Sequence, residues 1–302
     1  MPFFATIGFF DGVHIGHRAL LSQLLAAAHE AEMEPMVVTF NRHPREVLAQ
    51  QSSEDSNVAV PMLLTTLQER LALLHEAGIA HIKVLDFTPA MARLSAFEFL
   101  RNVLRPLGVR GLLMGFNHRF GSDHTTSFAE ISTFGAEMGI NVKRALPLSG
   151  GNDVSSTRIR SAITLAQIDE ANALLGHPFM LTGRVEHGKQ IGRTIGFPTA
   201  NIASPPQKLL PAEGVYFGTA HSTPLGKKPR RAIINIGTRP TIEFAGQRTI
   251  EAHVIGFSGN LYGQVLTLRF LHFHRPEQTF PTLGALQAQL QADAEECRKN
   301  NY

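Results

Sequence analysis

The chain has 302 residues, 43% hydrophobic and 18% charged, with a formal net charge of +3. That length accommodates about two domains with cores of their own; no apolar run nears the roughly 20 residues of a membrane span, and no concentrated basic stripe marks a nucleic-acid face. The single cysteine, Cys297, excludes an internal disulfide, and the opening "MPFFATIGFFDG" lacks a secretory pattern, so a cytoplasmic protein is expected.

The first half alternates strand-like and helix-like segments. "FFATIGFF" is a short apolar run ended by Asp11-Gly12, and "RALLSQLLAAAHEAEM" carries Leu and Ala at helical spacing. "PMVVTF", "HIKVLDF", "VRGLLMGF" and "NVKRALPL" read as further strands, separated by the helical "LLTTLQERLALLHEAG", "SAFEFLRNVLRPLG" and "SFAEISTFGAEMG". This alternation predicts a parallel sheet wrapped by helices, with ligands outside the carboxyl ends of the strands. From about Gly176 the texture changes to "GVYFGTA", "RRAIINIG", "TIEAHVIGF" and "QVLTLRFLHFH", short β-rich runs between turns, and then a final amphipathic helix. A small antiparallel barrel is expected there, with the boundary at "LLGHPF": residues 1–176 and 177–302.

"GFFDGVHIGH" sets His14 and His17 around Gly16, between the first strand and the first helix. A metal site, an acid/base pair and a phosphate cradle compete for this pattern. Zinc needs three or four ligands, and the usual two-histidine helix spaces them four apart, not three. A helix N-terminus with free N–H groups suits oxyanions, and imidazoles there can stabilise charge on a pyrophosphate leaving group. Downstream, "VSSTRIRSAI" offers Ser155, Ser156 and Thr157 as a cap or as phosphate ligands, followed by Arg158 and Arg160.

In the second half, "GRVEHGKQIGRTIGFPTANI" repeats glycine at 188, 192 and 196 without the ending of a Walker loop. Extended geometry after Pro198 sends Thr199 and Asn201 to one face. Two neutral oxygens side by side suit a Mg²⁺ ion that takes its remaining ligands from water and phosphate. A loop-to-strand junction satisfying its own hydrogen bonds is the plain alternative.

These motifs carry a resemblance. "GFFDGVHIGH" is similar to the HxGH signature of nucleotidyltransferases, and together with "SSTRIR" it resembles the FAD synthetase module of bacterial bifunctional riboflavin kinase/FMN adenylyltransferases. The resemblance implies a Rossmann-like nucleotidyltransferase domain followed by a small antiparallel β-barrel kinase domain with a C-terminal helix. It assigns Gly8, Phe9, Phe10, Asp11, Gly12, His14, His17, Ser155, Ser156, Thr157, Arg158 and Arg160 to ATP in adenylyl transfer. His43 and Arg45 in "FNRHPREVL", and Asn117 and Arg119 in "MGFNHRFG", fall on the flavin side. In that second segment Phe116 and His118 depart from the family pattern.

The glycine loop and "PTAN" resemble the riboflavin kinase signature. Gly183, Gly188, Lys189, Gly192, Arg193, Gly196, Thr199 and Asn201 are thereby assigned to ATP, with Thr199 and Asn201 holding Mg²⁺. Glu251, in the strand after "NIGTRPT", takes the place of the catalytic carboxylate, and His253 shares its face. Arg275, Glu277 and Phe280 keep the family's pattern, Arg275 and Phe280 on the flavin side, where Pro276 replaces a common Asp. The implied reactions are phosphorylation of riboflavin by ATP to FMN and adenylylation of FMN by a second ATP to FAD and pyrophosphate. Riboflavin, ATP, FMN and FAD are then the partners, with no nucleic acid and no membrane. The alternatives are a nucleotidyltransferase for another phosphorylated substrate and a non-catalytic flavin-binding protein.

Overall fold

The structure, a computed structural model, describes residues 1–51, 60–116, 121–123, 127–147, 154–188, 192, 195–238 and 248–299. The chain divides into two compact units, residues 1–62 with 70–153 and residues 63–69 with 154–302.

The first unit is built on five parallel strands: β1 (Phe3–Ile7), β2 (Glu34–Phe40), β3 (His81–Leu85), β4 (Val109–Met114) and β5 (Asn141–Arg144). Their order is β3-β2-β1-β4-β5, so each expected strand is present and β1 is central. Phe4, Ala5, Thr6, Val37 and Val38 are almost wholly inaccessible, as strands covered on both faces require. Strand order reverses between β1 and β4, and the crevice at such a switch point is where an open parallel sheet binds ligands. Helix α1 (Ile15–Glu30) follows β1 at that end; α2 (Pro44–Gln51) follows β2.

Helix α3 (Leu67–Glu76) begins in the second unit. Thr66 and Glu69 form a reciprocal cap, with Thr66 N–H donating to Glu69 Oε2 at 2.8 Å and Glu69 N–H to Thr66 Oγ1 at 3.2 Å. Short helices α4 (Pro89–Ala92) and α5 (Ala96–Phe99) and helix α6 (Phe128–Glu137) complete the first unit.

In the second unit, six antiparallel strands close a barrel in the order β10-β7-β6-β11-β8-β9. They are β6 (Phe179–Glu186), β7 (Ala200–Ala203), β8 (Gly214–His221), β9 (Arg230–Thr238), β10 (Arg248–Val254) and β11 (Val265–Arg275). The sequence reading anticipated β8 to β11; β6 and β7 flank the glycine loop. Alternate residues such as Ile234, Ile236, Ile250 and Ala252 point into the barrel. Helices α7 (Ser156–Thr164) and α8 (Ile168–Leu175) contribute Ile159, Ile163, Ile168 and Leu174 to that same core. The compact units therefore part at 153/154, whereas the sequence boundary was placed after residue 176. The apolar stripe of α7 and α8 has its partner in the barrel. Helix α9 (Leu283–Lys299) covers the outer face, where Ala294 and Cys297 pack with Val215, Phe217 and Ile233.

Residues 63–69 join this unit through a latch. Leu63 pairs with Lys208 in parallel, and Lys208 Nζ reaches Glu69 Oε2 at 2.7 Å with both side chains about 0–1% exposed. Lys208 also donates to Leu64 O, and Glu69 Oε1 accepts from Thr182 N–H at 2.6 Å.

Candidate active sites

In the first unit the β1–α1 loop leaves the sheet beside its switch point. Gly8 N–H donates to Val38 O at 3.1 Å, and a Cβ on Gly8 would meet the Phe10 ring at 2.9 Å. Phe10, Gly12 and Val13 have positive φ of 56°, 80° and 41°, and of the three Gly12 is the residue suited to it. Asp11 is buried in the same turn.

His14, 7% exposed, caps α1: its Nδ1 accepts from His17 N–H at 3.3 Å. That bond assigns the neutral ring's proton to Nε2. The two imidazoles stack, centroids 3.7 Å apart at 16°, and Phe10 meets His17 edge-on at 5.2 Å. His17 Nδ1 is buried without a hydrogen-bond partner among the described residues. Burial, and then the neighbouring His14, hold the His17 pKa well below the ordinary imidazole value. The pair is thus not doubly cationic at neutral pH: two stacked cations out of water would repel. Among the described residues no group of three or more His, Cys, Asp or Glu is placed to hold a metal ion.

His43 meets the Phe9 ring at 4.6 Å and its Nδ1 accepts from Arg45 N–H at 3.1 Å, while the Arg45 side chain is exposed. Thr39 Oγ1 donates to Phe9 O at 3.2 Å. Asn117 and Arg119 lie outside the described residues.

Ser155 to Arg160 belong to the second unit. Ser155 is the N-cap of α7, accepting from Arg158 N–H at 3.3 Å, and Arg158 pairs with Glu170 at 2.8 Å. Ser156 and Arg160 are partly buried and Thr157 is exposed.

The second unit's site is a register row. Arg275 on β11 faces Val215 on β8, Val215 faces Asn235 on β9, Asn235 faces Glu251 on β10, and Glu251 faces Asn201 on β7. Directly opposed residues in antiparallel strands point to one side of the sheet. All five line a cavity of about 410 Å³ on the outer face of the barrel, together with Thr199 and Phe280. Thr199 Oγ1 donates to Glu251 Oε2 at 3.1 Å, closing a contact between residues 52 positions apart. His253 lines the same cavity, its Nδ1 2.9 Å from Pro198 O.

The glycines separate by role. A Cβ on Gly188 would meet Asn201 Nδ2 at 2.2 Å, so glycine there makes room for that amide. Gly192 lines the cavity and its carbonyl accepts from Phe197 N–H at 2.8 Å. Gly196 has φ 80° and open space around it. Gly183 sits inside β6, where a Cβ would meet Ala203 O at 2.0 Å, a close strand approach away from the cavity lining. Lys189 and Arg193 lie outside the described residues.

Two residues that the motifs did not single out, Asn235 and Asp293, join this cavity beside Glu277. Asn235 Nδ2 donates to Glu277 Oε1 at 2.7 Å. Asp293 of α9, 1% exposed, receives Arg275 Nη2 at 2.8 Å, Gln289 Nε2 at 2.7 Å and the ring of His274 at 3.2 Å. Burial works against the Asp293 charge, but those hydrogen bonds, Arg275 foremost, hold its pKa below the usual carboxylate range. Arg275 therefore anchors α9 at the cavity's edge. The hydroxyl of Thr199 and the amide of Asn201 are a neutral oxygen pair, a donor set for a hard divalent cation rather than for zinc.

The FAD synthetase family profile matches residues 2–158 and the riboflavin kinase profile residues 175–301. A bifunctional riboflavin kinase/FMN adenylyltransferase of Escherichia coli K12 is 37% identical over 290 residues, covering 95% of this chain and 89% of that one. Proteins of the same name from Pseudomonas fluorescens and Listeria monocytogenes are 35% and 33% identical, covering 97% of this chain and 91% and 90% of theirs. A crystal structure described as a macrolide-efflux protein from Streptococcus pneumoniae superposes with a TM-score of 0.85 at 29% identity, over 99% of this chain and 95% of that one. No helix among the described residues is long and apolar enough to cross a membrane. Matched by both profiles in order, the chain belongs to the family of bacterial bifunctional riboflavin kinase/FMN adenylyltransferases.

Proposed function

We infer that this chain makes both flavin cofactors in sequence, phosphorylating riboflavin to FMN in its C-terminal part and adenylylating FMN to FAD in its N-terminal part. One observation carries the kinase reading: Thr199, Asn201 and Glu251 meet in a single cavity, with Thr199 Oγ1 3.1 Å from Glu251 Oε2. A primary alcohol attacks phosphorus readily only as its proton is taken up. Glu251, one oxygen occupied by the Thr199 hydroxyl, offers the other as acceptor for the ribityl proton. Thr199 and Asn201 are the residues to hold a divalent cation, magnesium in this proposal, which when bound supplies charge neutralisation at the phosphates of ATP. Gly188 leaves room for the Asn201 amide and Gly192 for the Phe197 carbonyl; both are kept on the ATP side, with Lys189 and Arg193 assigned to its phosphates. Phe280 offers its face to the flavin, while Arg275, held by Asp293, orients that wall.

For adenylyl transfer, the FMN phosphate is already an anionic nucleophile, so positioning and charge stabilisation suffice. The His14 Nε2–H and the N–H groups opening α1 donate to phosphate oxygens as pyrophosphate leaves. His17, neutral at rest, gains a proton more readily once a phosphate approaches. Ser155, Ser156, Thr157, Arg158 and Arg160 are kept as ATP ligands, with Arg158 exchanging Glu170 for phosphate. His43, Arg45, Asn117 and Arg119 serve the flavin side. Adenylyl transfer is assigned to residues 1–176 and phosphorylation to 177–302, with α7 and α8 packed on the barrel. The lone cysteine fits a reducing cytoplasm as the compartment.

Incubating the protein with riboflavin, ATP and Mg²⁺ and separating products by chromatography tests the reading. FMN followed by FAD is expected. Absence of both products overturns it, and equal rates after chelation of divalent ions overturn the metal assignment.

A further inference from the structure

The loop that presents His14 and His17 is strained. Positive φ at Phe10 and at the β-branched Val13 is uncommon, and such strain persists only where the surroundings over-determine it. Arg70 of α3 lies against this loop with 1% of its surface exposed. A core-facing helix position ordinarily carries an apolar side chain, as Leu73 and Leu74 on the same helix do. The Arg70 guanidinium carbon instead stands 4.1 Å from the centre of the Phe9 ring, and its Nη2 donates to Phe40 O at the end of β2. Its Nε is buried with no hydrogen-bond partner among the described residues.

Phe9 is the piece of the loop that Arg70 grips. Its ring meets His43 on one edge, its carbonyl is held by Thr39, and the next residue, Phe10, packs against His17. Burial pushes the Arg70 pKa down to about 10, with Asp11 working the other way, so the group remains a cation at neutral pH. A buried charge with an incomplete hydrogen-bond set costs stability, and a residue kept for packing alone would not carry it.

We propose that Arg70 is a positioning residue for adenylyl transfer: its buried charge, stacked on Phe9 and tied to the end of β2, holds the β1–α1 loop in the conformation that sets the His14–His17 pair. The proposal rests on the adenylyl-transfer reading of this site, and Arg70 acts through Phe9 rather than on the substrate.

The test compares full-length protein with Arg70→Met and Arg70→Lys. In R70M, kcat for FAD formation from supplied FMN should fall about tenfold or more, with the KM for ATP and the rate of FMN formation from riboflavin each within about twofold. R70K, which keeps a cation over the ring, should recover most of the loss. In an NMR titration the imidazole of lowest pKa, assigned with His17→Gln, should move back toward the ordinary range in R70M as the stack loosens. The proposal is overturned by an unchanged kcat in R70M, by equal losses in R70M and R70K, by a raised KM at unchanged kcat, or by proportional loss of both activities. If R70M does not fold, Arg70→Gln takes its place under the same criteria. Should the wild-type protein make no FAD, the adenylyl-transfer reading falls, while the histidine titration still decides whether Arg70 sets the pair: an unmoved titration overturns it.

Discussion

The two sites are constructed in opposite ways. The histidine pair of the N-terminal site lies within ten consecutive residues, Gly8 to His17, at one strand-to-helix turn shaped by burial and backbone strain. The C-terminal site is spread over five strands and α9, and its chemistry is decided by register. A local site can be read from a short motif but is sensitive to whatever supports the loop. A register site tolerates the loss of single supports better, because the neighbouring ladders hold each strand in place; a shift of one residue would nevertheless turn every functional side chain to the other face.

This contrast can be broken most severely at Glu251. Glu251→Gln should lower riboflavin phosphorylation by about 10²–10⁴ while FAD formation from supplied FMN persists in the same preparation. Loss of both activities from folded protein would show that the sites are not separable. The mirror experiment is His14→Asn, which should cost adenylyl transfer about 10²–10³ and spare the kinase.

Next in size is the latch. Lys208→Met leaves the buried Glu69 carboxylate without its cation, and removing one partner of a buried pair costs about 3–5 kcal/mol. Urea unfolding should register that loss, and the double variant K208M/E69L should regain only part of it, because the Thr182 and Thr66 N–H groups lose the carboxylate they donate to. A K208M variant as stable as the wild type would show that the charge pair contributes nothing.

A smaller effect is expected at Gly188. Gly188→Ala places a Cβ against Asn201 Nδ2 and should lower kcat/KM of phosphorylation about tenfold, equivalent to roughly 1.4 kcal/mol, with adenylyl transfer unchanged. The smallest signal is a pH slope. His17 is lowered in the native state by burial and by His14, so the unfolded chain protonates near its ordinary value of about 6.5 while the folded chain does not. More protons on the unfolded state means that stability falls as pH drops below that value, until the lowered native pKa is reached. Thermal unfolding across this range should show the slope, and His17→Gln should flatten it.

Much of the architecture was legible because it rests on local rules. Short apolar runs between helical segments marked all five strands of the parallel sheet, and "GFFDGVHIGH" and "PTAN" marked the segments assigned to the two sites. Other parts were not legible, for identifiable reasons. The strand β6 was hidden by the glycines around it, and Gly183 was grouped with the nucleotide loop although it serves close strand packing. Asn235 and Asp293 looked like ordinary polar residues, since only strand pairing and the docking of α9 bring them to the cavity. The capping box Thr66–Glu69 was a visible signal, yet the partner of Glu69 lies 139 positions away at Lys208.

By itself the sequence determined what periodicity and local backbone chemistry can specify: the two-part order of the chain, the turn that carries His14 and His17, and the pairing of Thr199 with Asn201 on one face. The tertiary structure alone decided that Glu251 meets that pair, that α7 and α8 pack on the barrel, that residues 63–69 close onto Lys208, and that Arg70 lies under Phe9. The physical reason is the range of the interactions. Helix caps, turns and alternation act over a few residues, whereas strand register and the burial of charge depend on partners that folding alone brings together.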